Sequence, residues 1–352
     1  MRDIAEKAGV SIGTVHCALA GKLGVGENKR AEILCLAKTY GYRPNSIASS
    51  LKRRAIRLAA VFPGPNDANR YYFTHVWDGF HDYLASMRDY NIDVVESPYY
   101  NGATGQNQML AWLLEEDHAD GVLTLGYMDG ECRTLLRRFK KERIPVVLVG
   151  SDVARNDRFC CVQPDYDVIG RTMGELLSWQ APQGLILVCA GNVVTPSNYE
   201  IVLGMEAFFR ERGSEGRLLK IHEQGAAGEF FRRIEGELRR NRKITACCSV
   251  NAHSSVLLAD ALIAAGRAKT IPAIGCDVFQ ENIAALESGV FSNLVHKNPY
   301  SQAYVAAKCL TEYILNGTKP VSGTLLVGNE ILFRSSLPLL RSGQEILHAV
   351  VG

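Results

Sequence analysis

A chain of 352 residues, 47% of them hydrophobic, is too long for one ordinary domain and long enough for a small head on a large two-part body. The net charge of +2 hides an asymmetry: 11 basic against 4 acidic residues up to Arg57 give +7, leaving −5 on the remainder. No apolar run approaches the ~18 residues of a membrane span and no secretory signal opens the chain, so a cytoplasmic protein is expected. The ten cysteines show no Cys-x-x-Cys pair and no histidines at zinc spacing, which argues for buried reduced thiols and against a metal.

Helical periodicity begins at once. Ile4, Ala5 and Ala8 share one face of a first short helix, Gly9 supplies left-handed backbone for a tight turn, and Ser11 is placed to cap a second helix. On that second helix Val15 and Leu19 are four apart and point inward. Ile12, Gly13, His16 and Cys17 then face outward near its start, where a helix-turn-helix offers side chains to the major groove of DNA. A third helix over 28–40 has Ile33, Leu34 and Ala37 as its apolar stripe and Gly41 as its stop. After Tyr42-Arg43-Pro44-Asn45 comes a short helical candidate at 46–51, then the basic run Lys52-Arg53-Arg54. Residues 1–44 thus form an all-α head and 45–55 a hinge. A cationic head on an anionic body predicts duplex binding that weakens steeply with salt.

From residue 56 strands and helices alternate. A buried strand at 56–62 is ended by Pro63-Gly64-Pro65, and an aromatic loop at 69–73 leads into a helix through Trp77, Phe80 and Leu84. Strands at 92–95, 121–125 and 145–149 are separated by helices at 108–116 and 135–141. A second series starts near Cys160, with helices at 168–179, 199–212, 229–240 and 254–265 between strands at 184–189, 217–222, 246–250 and 272–276. A last helix at 300–315 and a strand at 325–327 cross back to the first sheet. The class is therefore α/β: a helix-turn-helix head, then a body at 56–352 of two doubly wound parallel sheets. One lobe takes 56–154 with about 299–326, the other 155–298 with about 327–345. Such sheets bind ligands beyond the carboxyl ends of their strands, here facing a cleft between the lobes.

Several pieces carry a family resemblance. Asp3-Ile4-Ala5, Ala8-Gly9-Val10-Ser11, Thr14-Val15, Gly41-Tyr42-Arg43-Pro44-Asn45 and Ala48-x-x-Leu51 have the order and spacing of the lactose-repressor/galactose-repressor family of bacterial transcription regulators. The head resembles that family closely and nearly all the rest more loosely. In the body the resemblance, there to a periplasmic sugar-binding fold, rests on Tyr72-Phe73 before Gly79, Asp165 with Gly170, Asn251, Gly275-x-Asp277 and Asn298-Pro299.

The resemblance implies a homodimeric repressor of double-stranded operator DNA. Its DNA contacts would come from Ser11, Ile12, Gly13, Thr14, His16, Cys17, Lys29, Tyr42, Asn45, Ala48, Leu51 and Lys52. Two 46–51 segments would pair in the minor groove, with Leu51 wedged between base steps. A sugar or sugar derivative in the cleft would alter the hinges, releasing or recruiting the repressor. No heptad tail follows the body, which favours a dimer over a tetramer.

For the effector, the candidate contacts are Tyr72, Phe73, Trp77, Asp152, Asn251, Asp277 and Lys297. Asp277 can accept two hydroxyl protons, Asn251 can donate and accept, and Tyr72, Phe73 or Trp77 can stack on a ring. Asp277 equally suits a cap for the segment 280–286, and Tyr72 and Phe73 suit ordinary packing. Departures from the family stand beside the matches. Ile201 and Cys17 replace common arginines, His16 replaces a small hydroxyl residue, and Gly150 replaces an acid, leaving Asp152 as the next acceptor. Lys297 replaces a common glutamine, implying either an internal ion pair with Asp277 or an anionic effector. A transport-type sugar-binding protein would share the body but not the basic head. No nucleophile elbow, zinc-ligand helix or acid–base pair points to an enzyme or a cofactor.

Overall fold

The computed structural model describes residues 2–19, 24–40, 55–153 and 155–338. They fall into a helical head and an α/β body.

The head consists of α1 (Arg2–Ala8), α2 (Ile12–Leu19) and α3 (Glu27–Thr39). Gly9 takes φ +62°, a conformation costly for a residue with a Cβ, and turns the chain between α1 and α2. The Ser11 hydroxyl accepts from the Thr14 N–H at 3.1 Å, satisfying one of the free donors that begin α2. Ile4, Ala5, Ala8, Val15, Ala18, Ile33 and Ala37 make the core. One expectation is extended and one corrected. Ala18 joins Val15 as a buried side chain of α2, with Leu19 half-buried against the same core. Leu34 is 47% exposed, because Ile33 and Ala37, four apart, already fill the narrow face that α3 presents to two short helices. Gly41 and the hinge up to residue 54 lie outside the described residues.

In the body, the first sheet holds β1 (Ile56–Val61), β2 (Ile92–Glu96), β3 (Gly121–Thr124), β4 (Val146–Val149), β5 (Cys160–Gln163) and β11 (Thr324–Leu326), in the order β11-β5-β4-β3-β1-β2 and all parallel. The second holds β6 (Leu185–Cys189), β7 (Leu218–Ile221), β8 (Ile244–Ser249), β9 (Ala273–Cys276), β10 (Asn293–His296) and β12 (Glu330–Leu332), in the order β12-β10-β9-β8-β6-β7. Apolar layers cover both faces of each sheet. In β1, Leu58 and Ala60 point toward Trp77 and Phe80, while Ala59 and Val61 point toward Leu110 and Leu113. That two-sided burial is why β1 reads as an unbroken apolar run instead of an alternation.

The helices of the body are α4 (Arg70–Ser86), α5 (Gly102–Glu115), α6 (Gly130–Lys141), α7 (Tyr166–Gln180), α8 (Pro196–Arg210), α9 (Ala227–Arg240), α10 (Ala252–Ala264), α11 (Gln280–Ser288) and α12 (Pro299–Asn316). Two helix pairs approach at glycines. A Cβ on Gly79 of α4 would lie 2.1 Å from the Tyr300 carbonyl oxygen of α12, and one on Gly170 of α7 would lie 2.0 Å from that of Ile201 on α8. Ile201 is itself fully buried in that seam, so its side chain belongs to the second lobe's core.

Three sequence expectations change here. Helix α4 begins at Arg70, so Tyr71, Tyr72 and Phe73 sit in its first turn and not in a loop. Strand β5 pairs with β4 in the first sheet, Val147 opposite Cys160, so the second lobe starts after residue 163 and not at 155. Among its described residues the connection at 150–159 holds no helix, so the strand–helix rhythm breaks before β5. The second sheet is not wholly parallel, since β12 runs antiparallel to β10. Strands β10 and β12, four and three residues long, were too short to show a period. The chain thus crosses between lobes near 164–165, 297–298 and 327–329.

Candidate functional site

In the head, the outer face of α2 is open at its start. Ile12 is 49% exposed, Gly13 is open, and Thr14 and Cys17 are half-exposed beside them on α2. Ser11 is committed to capping, with its oxygen 2.9 Å from Thr14 Oγ1. Lys29 is also engaged: its ammonium donates to the Ala8 carbonyl at 3.1 Å and pairs with Glu32 at 2.7 Å. It closes the end of α1, although more than two-fifths of its side chain stays exposed. The His16 side chain and all of Tyr42, Asn45, Ala48, Leu51 and Lys52 fall outside the described residues.

In the body, a cavity of about 370 Å³ lies between the carboxyl ends of the two sheets, within the size range of small-molecule sites. Its walls differ in character. The first lobe contributes mainly Tyr72, Phe73, Val76, Leu125, Tyr127 and Val149. The second contributes Asn192, Asn198, Glu223, Asn251, His253 and Lys297. The polar groups follow from topology. Asn192 comes after β6, Glu223 after β7, and Asn251 and His253 after β8, so parallel strands deliver their following loops to one edge.

Of the seven effector candidates, four line the cavity: Tyr72, Phe73, Asn251 and Lys297. Asn251 has less to offer than its composition suggests. Its Oδ1 accepts from the Ser254 N–H at 2.8 Å as the cap of α10, which leaves the amide N–H₂ for a ligand. Trp77, Asp152 and Asp277 do not line it. Trp77 lies one turn beyond Phe73, edge-on to Phe62 with centroids 5.2 Å apart, and donates to the Pro63 carbonyl at 3.0 Å. It is a core residue. Asp152 is held by Arg158 through two hydrogen bonds of 2.7 Å, and both side chains are buried.

Asp277 stands behind Lys297. Their charged groups are 3.0 Å apart, Asp277 Oδ1 accepts from the Lys297 N–H at 3.2 Å, and the ammonium also donates to the Val250 carbonyl at 3.0 Å. Of the two sequence options for Lys297, the internal ion pair is the one formed. Asp277 is no helix cap either; Phe279 occupies that position. Its backbone is left-handed at φ +68°, unusual outside glycine, and the Asn282 amide secures the turn by donating to the carbonyls of Cys276 and Asp277 at 2.6 and 2.9 Å. Burial opposes the Lys297 charge most, but Asp277, Cys276 and Tyr72 together hold the ammonium above its ordinary pKa. Burial also raises the Tyr72 hydroxyl, which donates to Gln302 Oε1 at 3.1 Å while its ring lies 5.5 Å from the Lys297 ammonium.

Sequence reasoning missed Asn192, Asn198, Glu223 and His253. His253 Nδ1 and Glu223 Oε1 are 2.9 Å apart, and Asn198 donates to the Asn192 carbonyl at 3.2 Å. The signal available was positional: all but Asn198 lie within four residues of a parallel strand's carboxyl end. Together the groups form a donor and acceptor array opposite an apolar wall, suited to holding a molecule with one flat face and one hydroxylated edge. Among the described residues, no group of three or more His, Cys, Asp or Glu is placed to hold a metal, and no helix is long and apolar enough to cross a membrane.

Comparison with known proteins agrees with both parts. Residues 61–319 match the periplasmic binding protein domain, and residues 1–45 match the bacterial regulatory proteins of the lacI family. The chain belongs to the periplasmic binding protein domain family over most of its length and carries a lacI-family head. Catabolite control protein A of Streptococcus mutans is 32% identical over 149 residues, 42% of each chain. The HTH-type transcriptional regulator pepR1 of Lactobacillus delbrueckii is 26% identical over 216 residues, 61% of this chain and 62% of that one. The chain spans about half the length of the curated relatives it matches. GanP, a glucose-galactose binding protein from Geobacillus stearothermophilus, shares the body's fold with a TM-score of 0.72 at 20% identity, covering 81% of this chain and 100% of its own.

Proposed function

We propose that the protein is a cytoplasmic, homodimeric transcription regulator, a repressor, whose affinity for a specific operator is set by a sugar-like effector in the cleft. The observation that carries this reading is the union in one chain of a lacI-family head, whose Ser11-capped second helix presents Ile12 and Gly13, with a cavity that is apolar on one wall and polar on the other. Ile12, Gly13, Thr14, His16 and Cys17 are assigned to the major groove, with Ser11 positioning the helix. Cys17 lacks the two-pronged donor with which arginine grips guanine, so the operator would differ from those read by an arginine there. Lys29 spends two of its three donors on Ala8 and Glu32, so at most one remains for a phosphate while those contacts hold. Tyr42, Asn45, Ala48, Leu51 and Lys52 are assigned to the DNA by their sequence alone.

In the body, Tyr72 and Phe73 provide the stacking wall, with Asn251 and Lys297 opposite them. Asn192, Asn198, Glu223 and His253 join the effector set. The groups bind and orient a ligand, and no catalytic role is assigned to them. A transport-type binding protein accounts for the body alone.

Selection of genomic fragments by the purified full chain, followed by anisotropy titration at several salt concentrations with and without sugars, tests the proposal. The expected result is one preferred duplex, steep loss of binding with salt, and a shift in affinity with one sugar. No preference over random duplex at any salt, with or without sugars, overturns it. Leu51→Ala should weaken specific binding while leaving sugar binding intact, and equal loss of both would refute the separation of reader from sensor.

A further inference from the structure

Besides Tyr72 and Tyr127, whose hydroxyls burial keeps protonated, three ionisable side chains line the cavity among the described residues: Glu223, His253 and Lys297. None faces it unpaired. Lys297 is spent on Asp277 and on the Val250 carbonyl, each 3.0 Å from its ammonium, and the two side chains of the pair are 5% and 1% exposed. His253 and Glu223 meet at 2.9 Å. The remaining polar groups of the wall are neutral, chiefly the amides of Asn69, Asn192, Asn198 and Asn251 and the hydroxyls of Ser151 and Ser197. Arg158, a buried cation of the first lobe, is taken up by Asp152. Counting Asp277 with Lys297, the site carries zero net charge when His253 is protonated and −1 when it is neutral.

A phosphate or carboxylate entering this space would give up hydration for neutral donors and would approach the Glu223 carboxylate without a free cation to balance it. An uncharged polyhydroxylated ring meets no such cost. Its C–H face fits Tyr72 and Phe73, and its hydroxyl edge meets the amides of the other lobe.

We propose that the cleft selects an uncharged polyhydroxylated ring over its phosphorylated or carboxylated counterpart, and that the Lys297–Asp277 ion pair sets this preference by neutralising the wall's buried cation. The inference rests on the cavity being the effector site.

Calorimetric titration of the full chain, without DNA, with matched pairs of neutral monosaccharides or cyclitols and their monophosphates tests it. At least one neutral member should bind, and its phosphate ester should bind about 100-fold more weakly or worse. Asp277→Asn keeps the side chain's shape and leaves the ammonium unbalanced, so the gap should narrow about tenfold or more. Lys297→Met should not narrow it. Thermal melts establish that each variant is folded; if one is not, the wild-type comparison decides the ligand class by itself. A phosphate ester that binds as tightly as its neutral partner overturns the proposal, and an unchanged ratio in folded Asp277→Asn removes the ion pair from it. If no sugar of either kind binds while the chain still selects a duplex, this inference fails and the DNA-reading function stands. Neutral sugar binding without duplex selection gives the reverse.

Discussion

Tyr71 on the first lobe and Phe279 on the second meet ring to ring, centroids 4.7 Å apart at 34°. The Arg70 guanidinium lies over the Tyr71 ring, 4.2 Å from its centroid, and 3.3 Å from Glu281 of the second lobe. A second strap joins the lobes elsewhere, where the Met128 N–H donates to the Val194 carbonyl at 3.0 Å. Both contacts are made by protein alone. A ligand in the cleft therefore adds to an approach of the lobes that these side chains already favour, and the effect of ligand depends on how much the straps contribute.

Phe279→Ala should loosen that approach. An aromatic pair is worth ~0.5–1.5 kcal/mol beyond its buried area, so closure should become about 2- to 10-fold less favourable and ligand affinity should fall by a similar factor. Calorimetry gives the affinity, and small-angle scattering of the ligand-free variant should show a larger radius of gyration. Unchanged affinity together with unchanged scattering would mean that the stack does not hold the lobes.

Asp152→Ala should act on stability and not on ligand. Asp152 is the sole carboxylate hydrogen-bonded to Arg158 among the described contacts, and Arg158 also donates to Thr324 Oγ1 at 3.0 Å, tying β11 to the segment before β5. Removing one member of a buried pair strands the other, at a cost of ~3–5 kcal/mol. Urea unfolding should register that loss, while sugar affinity of the folded fraction stays within about twofold because the residue does not reach the cavity. A large fall in affinity at unaltered stability would restore Asp152 to the site.

The head's turn, the apolar run of β1 and the strand–helix rhythm were legible because each is a local pattern: a capping hydroxyl, a two-sided burial, a period. The cleft was only partly so. Tyr72 and Trp77 are five residues apart in α4, so their side chains point about 140° apart around its axis, and only the packing of α4 in the fold tells which one faces the cavity. Asp277 shows the same limit. Its place at the end of β9 was readable, yet its withdrawal behind Lys297 depends on β10, a strand of four residues that gave no period. Glu223 and His253 are thirty positions apart, and only the adjacency of β6 to both β7 and β8 brings them to one edge.

Gly170→Ala should destabilise the second lobe more than its size suggests. The added methyl would lie 2.0 Å from the Ile201 carbonyl oxygen and 2.8 Å from the Met205 nitrogen, both backbone atoms of α8 that cannot rotate away. Overpacking of this kind costs ~1–3 kcal/mol, against a gain of up to about 1 kcal/mol from helix propensity. Chemical denaturation should show a net loss; a gain would mean that α7 and α8 separate freely.

Thiol labelling offers a test of the recognition face that needs no mutation. Cys35 is exposed on α3 and Cys17 half-exposed on α2, while the other eight cysteines are buried. Burial raises most of those buried thiols, Cys276 up to about 12, so they stay protonated and sheltered wherever the fold survives. In the native protein a maleimide should therefore modify Cys35 first and Cys17 more slowly, and the remaining eight only after denaturation. Operator DNA should slow the labelling of Cys17 strongly and that of Cys35 little, read by mass spectrometry of the two peptides. Equal rates at Cys17 with and without DNA would remove that side chain from the groove and turn α2 away from the bases.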